Sequence, residues 1–134
     1  MNKSNNYNLN EFKELNIIPK NKYYDKRFYN MNNFEDREII HKNKKALSIV
    51  FTNKIFGFSF VTWITEKNNR NKGYSSLALK RLMKRHRLLF AKVQKGNITS
   101  YKFALKNGFK KIIKFPDIFN IKGGTLLYWI KIGI

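Results

Sequence analysis

The chain has 134 residues, 43% hydrophobic and 16% aromatic, enough for one domain with a packed core rather than a disordered segment. It has no cysteine, which excludes disulfides, thiolate metal sites and a cysteine nucleophile, and its two histidines, His41 and His86, lack metal-ligand spacing. With 28 Lys and Arg against 8 Asp and Glu, a formal charge of +20, it favours polyanionic partners such as nucleic acid, the ribosome, an acidic protein or a phosphate-rich cofactor.

Residues 1–10 are Asn-rich and read as a loose tail without the apolar core of a secretory signal. No apolar run is long enough to span a bilayer, so the sequence points to a soluble, cytoplasmic protein forming one domain over 1–134. Scattered apolar residues over 11–40 predict one or two short helices, ended near Pro19. Within them Lys22–Tyr29 (KYYDKRFY) interleaves bases with aromatics, which suits an amphipathic helix docked on a sheet and also stacking on unpaired bases.

The β-branched and aromatic residues of 45–65 predict a β-hairpin with Thr52–Lys54 as its turn. A helix of about three turns follows at 75–87. At about 100° per residue, Leu79, Leu82, Met83 and His86 share one arc, with Ala78 at its margin. Lys80, Arg81, Lys84, Arg85 and Arg87 share the opposite arc, and Leu77 falls on the charged side. Residues 88–94 (LLFAKVQ) form a short strand. A helix over 97–107 is capped by Asn97 or Thr99 and ended by Gly108 in the left-handed position. Strands at 109–115 and 125–132 flank a loop with turn residues at both ends. The order is that of a mixed α/β domain whose strand–helix–strand unit makes a parallel crossover.

The segment from Arg70 to Ser76 has the composition of an anion cradle. A helix start leaves N–H groups unpaired and carries partial positive charge. Arg70, Asn71, Lys72 and Gly73 stand just before it, and Tyr74, Ser75 and Ser76 open its first turn. The spacing is neither that of a P-loop nor that of the dinucleotide fingerprint.

The same segment, RNKGYS, resembles the acyl-CoA signature of the GCN5-related N-acetyltransferases, with Arg70, Gly73 and Ser75 at its three positions. Asn97 and KNGF (Lys106 to Phe109) resemble that family's downstream elements, and the spacing from Asn97 to Ser100 looks like its ribosomal-protein branch. The resemblance covers roughly Lys54 to Ile132 and implies a mixed, mostly antiparallel sheet around a central strand–helix–strand unit. It implies acetyl-CoA as cofactor, its pyrophosphate on Arg70 to Ser76. The pantetheine arm would lie along Trp63, Ile64 and Thr65 and pass Asn97, with Lys106 near the cofactor. An amine would attack the thioester directly, a base would take its proton, and a hydroxyl would protonate the leaving thiolate.

Two positions depart from the family pattern. Ala104 stands where many members carry a Tyr acid, so Ser100 or Tyr101 would substitute, unless the thiolate leaves unassisted. One hairpin precedes the signature where three strands are common, so either a strand is hidden in REIIHKN or the sheet is trimmed. Glu66, beside the expected thioester, is a general base or an exposed partner of Arg70 or Lys67. His86, on the apolar arc, reads as a hydrogen-bonded core residue. Lys80, Arg81, Lys84, Arg85 and Arg87 either face water or bind nucleic-acid phosphates.

The charge suits an acceptor bound to a polyanion: aminoacyl-tRNA, a ribosomal protein or a DNA-associated target. Phage DNA-modification proteins similar to Mom, which alter adenine, share the fold that the resemblance implies. A nucleic-acid-binding module that kept this fold without catalysis is the other reading. A monomer or a homodimer is compatible with the sequence.

Overall fold

The computed structural model describes residues 34–42, 45–65, 72–118 and 122–132. The elements follow as β1 (Asp36–Lys42), β2 (Lys45–Ile55), β3 (Phe58–Thr65), α1 (Tyr74–Met83), β4 (Leu88–Gln94), α2 (Ile98–Lys106), β5 (Lys110–Phe115) and β6 (Gly124–Ile130). The strands make one six-stranded sheet of order β1-β2-β3-β4-β6-β5. Neighbours are antiparallel throughout except β3 and β4, which α1 joins as a parallel pair. This is the α/β arrangement that the sequence predicts.

Two local expectations are corrected. Thr52–Lys54 is not a turn. These residues continue β2, facing Val61, Phe60 and Ser59. Their polar groups are accommodated by Glu35: its Oε1 accepts from Thr52 Oγ1 (3.1 Å) and Ser59 Oγ (2.8 Å), and Lys54 Nζ lies 3.5 Å from its Oε2. The turn falls instead on Phe56 and Gly57, both at positive φ (52° and 83°), the pattern of a two-residue hairpin. The second correction is β1 itself, which replaces helix over 36–40 and supplies the strand that the resemblance left open. Adjacent Ile39 and Ile40 are both buried, one on each face of the sheet, so no alternation announces the strand. The expectations for residues 1–33, including Lys22–Tyr29, lie outside the described residues.

The two described helices cover the same face. The arc foreseen for α1 is the one buried: Ala78, Leu79, Leu82 and Met83 pack with Ile40, Val50 and Val61. Leu77 stays 43% exposed on the other side. Burying each leucine is worth about 1.5–3 kcal/mol. Ala104 and Phe109 close the core over Ala91, Val93 and Leu127. Among the described residues no helix is long and apolar enough to cross a membrane.

The helical run ends at Met83, four residues before the predicted end at Arg87. Beyond it the chain turns toward β1. Asp36 accepts from Arg85 Nε (3.0 Å), Arg85 Nη2 (3.1 Å) and the Arg37 backbone N–H (2.8 Å), and His86 Nε2 lies 2.8 Å from its Oδ2. Arg85 Nη1 also lies 2.7 Å from Glu38 Oε2. Burial alone would raise the Asp36 carboxyl, but the hydrogen bonds from His86, Arg85 and Arg37 and the Arg85 charge outweigh it. They hold the pKa at about 2. His86 is thus the hydrogen-bonded core histidine that its arc predicts.

Candidate active site

The parallel ladder between β3 and β4 consists of one registered pair, Phe60 with Phe90. Past it the strands no longer pair as they run toward Thr65 and Gln94. Each keeps its outer neighbour, β2 or β6. The inner edges leave backbone N–H and C=O groups facing a gap, where an extended ligand can take them up as a further strand would.

At the head of this gap stands the start of α1. Gly73 precedes it at φ 81°, no side chain caps it, and its first turn holds no acidic residue. The leading amides therefore present an uncompensated positive end. A Cβ added to Gly73 would meet no protein atom within 4 Å, so space is open beside the backbone. This geometry fits a phosphate group. The serines of the first turn point inward. Ser75 Oγ lies 2.9 Å from Ser48 Oγ and is hydrogen-bonded to Thr65 Oγ1, and Ser48 Oγ lies 3.0 Å from Thr65 Oγ1. Ser76 Oγ accepts from Asn107 Nδ2 (3.3 Å), which brings the end of α2, with exposed Lys106, to the start of α1.

Asn97 caps α2, its Oδ1 accepting from Ser100 N–H (3.2 Å). Trp63 crosses from β3 to that first turn, donating its indole N–H to Ser100 Oγ (3.3 Å) and packing its ring 4.8 Å from Phe103. Tyr101, half-buried, lines a cavity of about 420 Å³ together with Gln94, Asn97, Lys95, Lys114 and Phe115. Ala104 is 0% exposed, so its helix position belongs to the core.

The structure thus gathers Trp63, Thr65, Lys72, Gly73, Tyr74, Ser75 and Ser76 about one end of β3, with Lys106 close by. Asn97, Ser100 and Tyr101 lie at the start of α2. Ile64 is 3% exposed and offers its backbone rather than its side chain. Glu66, Arg70 and Asn71 lie outside the described residues. All five cations of the basic arc, Lys80, Arg81, Lys84, Arg85 and Arg87, are exposed, and Arg85 is also paired with Asp36 and Glu38. Ser48 and Asn107 are parts of the site that spacing did not reveal. Asn107 sits in the Asn-Gly helix stop, but nothing local marks Ser48.

No protein-family model matches the sequence, and no curated protein matches it. Solved structures do. The ribosomal-protein-S18-alanine N-acetyltransferase from Escherichia coli superposes with a TM-score of 0.68 at 11% identity, over 92% of this chain and 90% of that one. The ribosomal-protein-alanine N-acetyltransferase from Brucella melitensis gives 0.60 at 16% identity, over 69% and 67%. A ribosomal L7/L12 α-N-protein acetyltransferase in complex with coenzyme A gives 0.60 at 15%, over 70% of this chain and 60% of that one. The chain therefore spans less than two thirds of some of these relatives and nearly all of others. All lie under 25% identity, and the likeness is one of architecture: the chain has the fold of the GCN5-related N-acetyltransferases.

Proposed function

We propose that the protein is an acetyl-CoA-dependent N-acetyltransferase whose acceptor amine is carried by a nucleic-acid-associated molecule, such as aminoacyl-tRNA, a ribosomal protein or a DNA-bound target. The observation that carries this reading is the joining of an uncapped α1 start to the parted edges of β3 and β4. A diphosphate and an extended amide-bearing arm fit those two features. That a structure of this fold contains coenzyme A supports the same ligand here.

Acetyl-CoA supplies an acetyl group activated as a thioester. The chain's part is to hold and orient it. Gly73 and the amides of Tyr74, Ser75 and Ser76 take the diphosphate, and Lys72 and Lys106 add charge. The inner edge of β3 from Trp63 to Thr65 aligns the arm, which passes Asn97. Ser100 or Tyr101 offers a hydroxyl to the departing sulfur. Tyr101 is the better acid, since a phenol gives up its proton far more readily than an alcohol does.

The carboxylates argue for one class of amine. Among the described residues, Glu35, Asp36 and Glu38 are paired with cations and Asp117 accepts from Gly123 N–H. Lys95 and Lys114 line the cavity, and among the described residues no carboxylate does. Such surroundings lower an amine's pKa. An α-amino group, at about 7.7–8.0, then needs little help to lose its proton, while a lysine side chain at about 10.4 needs a strong base. Glu66, placed directly after β3 in the sequence, is the candidate base for the proton that remains.

Calorimetry with CoA and acetyl-CoA tests the reading, and absence of binding overturns it. Mass spectrometry of RNA, DNA and protein from cells expressing the chain or a Gly73 variant would identify the acceptor. Core placement of Ala104 favours a second reading, a nucleic-acid-binding module without catalysis. CoA binding with no acetylated product would support it.

A further inference from the structure

The first turn of α1 carries two serines where open amides matter most. Leu77 N–H is the first to bond within the helix, to the Gly73 carbonyl (3.0 Å). The amides of Tyr74, Ser75 and Ser76 are therefore left without an intrahelical partner. A serine hydroxyl in such a turn readily accepts from neighbouring backbone N–H groups, which would close the turn to an anion. Here both hydroxyls are engaged elsewhere. Ser76 Oγ accepts from Asn107 Nδ2 at the end of α2, and Ser75 Oγ meets Ser48 and Thr65.

Ser48 is fully buried on β2, registered against Thr65. It shares its face of the strand with Val50, which packs in the core beneath α1. Its hydroxyl donates to the Ile64 carbonyl (3.2 Å), a group that can only accept. Its lone pairs remain for Ser75 (2.9 Å) and Thr65 (3.0 Å). The Ser75 hydroxyl is thereby drawn toward the sheet by one residue of β2 and one of β3. For packing alone an apolar residue at position 48 would serve with less desolvation.

We propose that Ser48 is a positioning residue for the diphosphate site: it holds the Ser75 hydroxyl inward and so keeps the amides of Tyr74, Ser75 and Ser76 open to the ligand. The inference rests on the proposed acetyl-CoA site and adds to it a buried residue that acts through Ser75. Because Ser48 also bonds the Ile64 carbonyl, one side chain sets the helix start against the strand along which the arm would lie. Without it Ser75 is held by Thr65 alone. Its hydroxyl then gains rotamers in which it accepts from the leading amides or stands in the space beside Gly73, competing with the anion.

The test is calorimetry with CoA on the wild type, Ser48→Ala, Ser75→Ala and the double variant, with amide NMR of the ligand-free proteins alongside. Ser48→Ala should weaken CoA binding about three- to tenfold, the scale of one neutral hydrogen bond. In the Ser75→Ala background the same change should have no measurable effect, because no hydroxyl is left to compete. A loss of packing alone would persist in that background. Without ligand, the Ser75 and Ser76 amide signals should shift in Ser48→Ala and should not shift further when Ser48→Ala is added to Ser75→Ala. Ser48→Cys, close in volume and a weak hydrogen-bonding partner, should move both readouts the same way if the alanine variant does not fold. Unchanged CoA affinity in Ser48→Ala, or an equal loss in both backgrounds, overturns the positioning role. A wild-type chain that does not bind CoA overturns the acetyltransferase reading instead. The amide signals then decide the role of Ser48, and unshifted signals overturn it.

Discussion

The Trp63 indole N–H donates to the Ser100 hydroxyl at 3.3 Å, joining the open end of β3 to the first turn of α2. A hydroxyl oxygen that accepts in this way keeps its own proton for another acceptor. Trp63→Phe removes the donor while leaving a ring to pack on Phe103. In the proposed reaction it should lower kcat about three- to tenfold, the scale of one neutral hydrogen bond, with little change in thermal midpoint. Ser100→Ala should do the same, and the double variant should be no worse than either single one. Full additivity in steady-state kinetics would show that the two side chains act separately.

Gly73 sits at φ 81° with open space beside it. Gly73→Ala should cost about 1 kcal/mol of stability, because an L side chain resists the left-handed conformation. Gly73→Trp should leave a folded protein that no longer binds CoA, since the indole would occupy the space beside the helix start. Unchanged affinity in calorimetry would move the phosphate site elsewhere.

The Asp36 carboxyl is held at about 2, below its ordinary 3.8. A lowered folded-state value means that the unfolded chain binds the proton first as pH falls. The stabilisation is therefore complete above about pH 4 and is lost toward pH 2. Asp36→Asn should cost about 2 kcal/mol at neutral pH by leaving His86 without its carboxylate and Arg85 with Glu38 as its remaining ion-pair partner. Urea unfolding from pH 6 to pH 2 should show the gap between wild type and variant narrowing below pH 4. A gap that stays constant would mean that Asp36 acts by shape rather than by charge.

Phe56 holds φ 52° in the hairpin turn, an unfavourable conformation for an aromatic residue. Phe56→Asn would create the Asn-Gly pair that such turns prefer and should raise stability by about 1 kcal/mol. Thermal unfolding measures this directly.

What the sequence made legible was local. LLFAKVQ is β4 at the predicted boundaries, because apolar alternation runs uninterrupted between Arg87 and the turn at Lys95. The buried arc of α1 and the Asn97 cap likewise follow from spacing along one element. The failures share a cause in partners far along the chain. Thr52–Lys54 resembles a turn until Glu35 is seen across the sheet. Arg85 resembles a free cation until Asp36, 49 positions earlier, is placed against it. Ser48 gives no local sign that its hydroxyl meets Thr65 and Ser75. The helix start at Gly73 was foreseen because a glycine marks it, whereas the parting of β3 and β4 needed the register of Phe60 with Phe90.

That single registered pair has a mechanical meaning. The sheet is two three-stranded plates, β1–β3 and β4–β6, laced by long antiparallel ladders inside each plate and fastened to one another at one point along the seam. The fastening lies near the starts of β3 and β4, and the seam widens away from it like a clasp. A ligand lodged in the wide end would act as a second fastener, so amide exchange along the inner edges should slow most where the seam is widest.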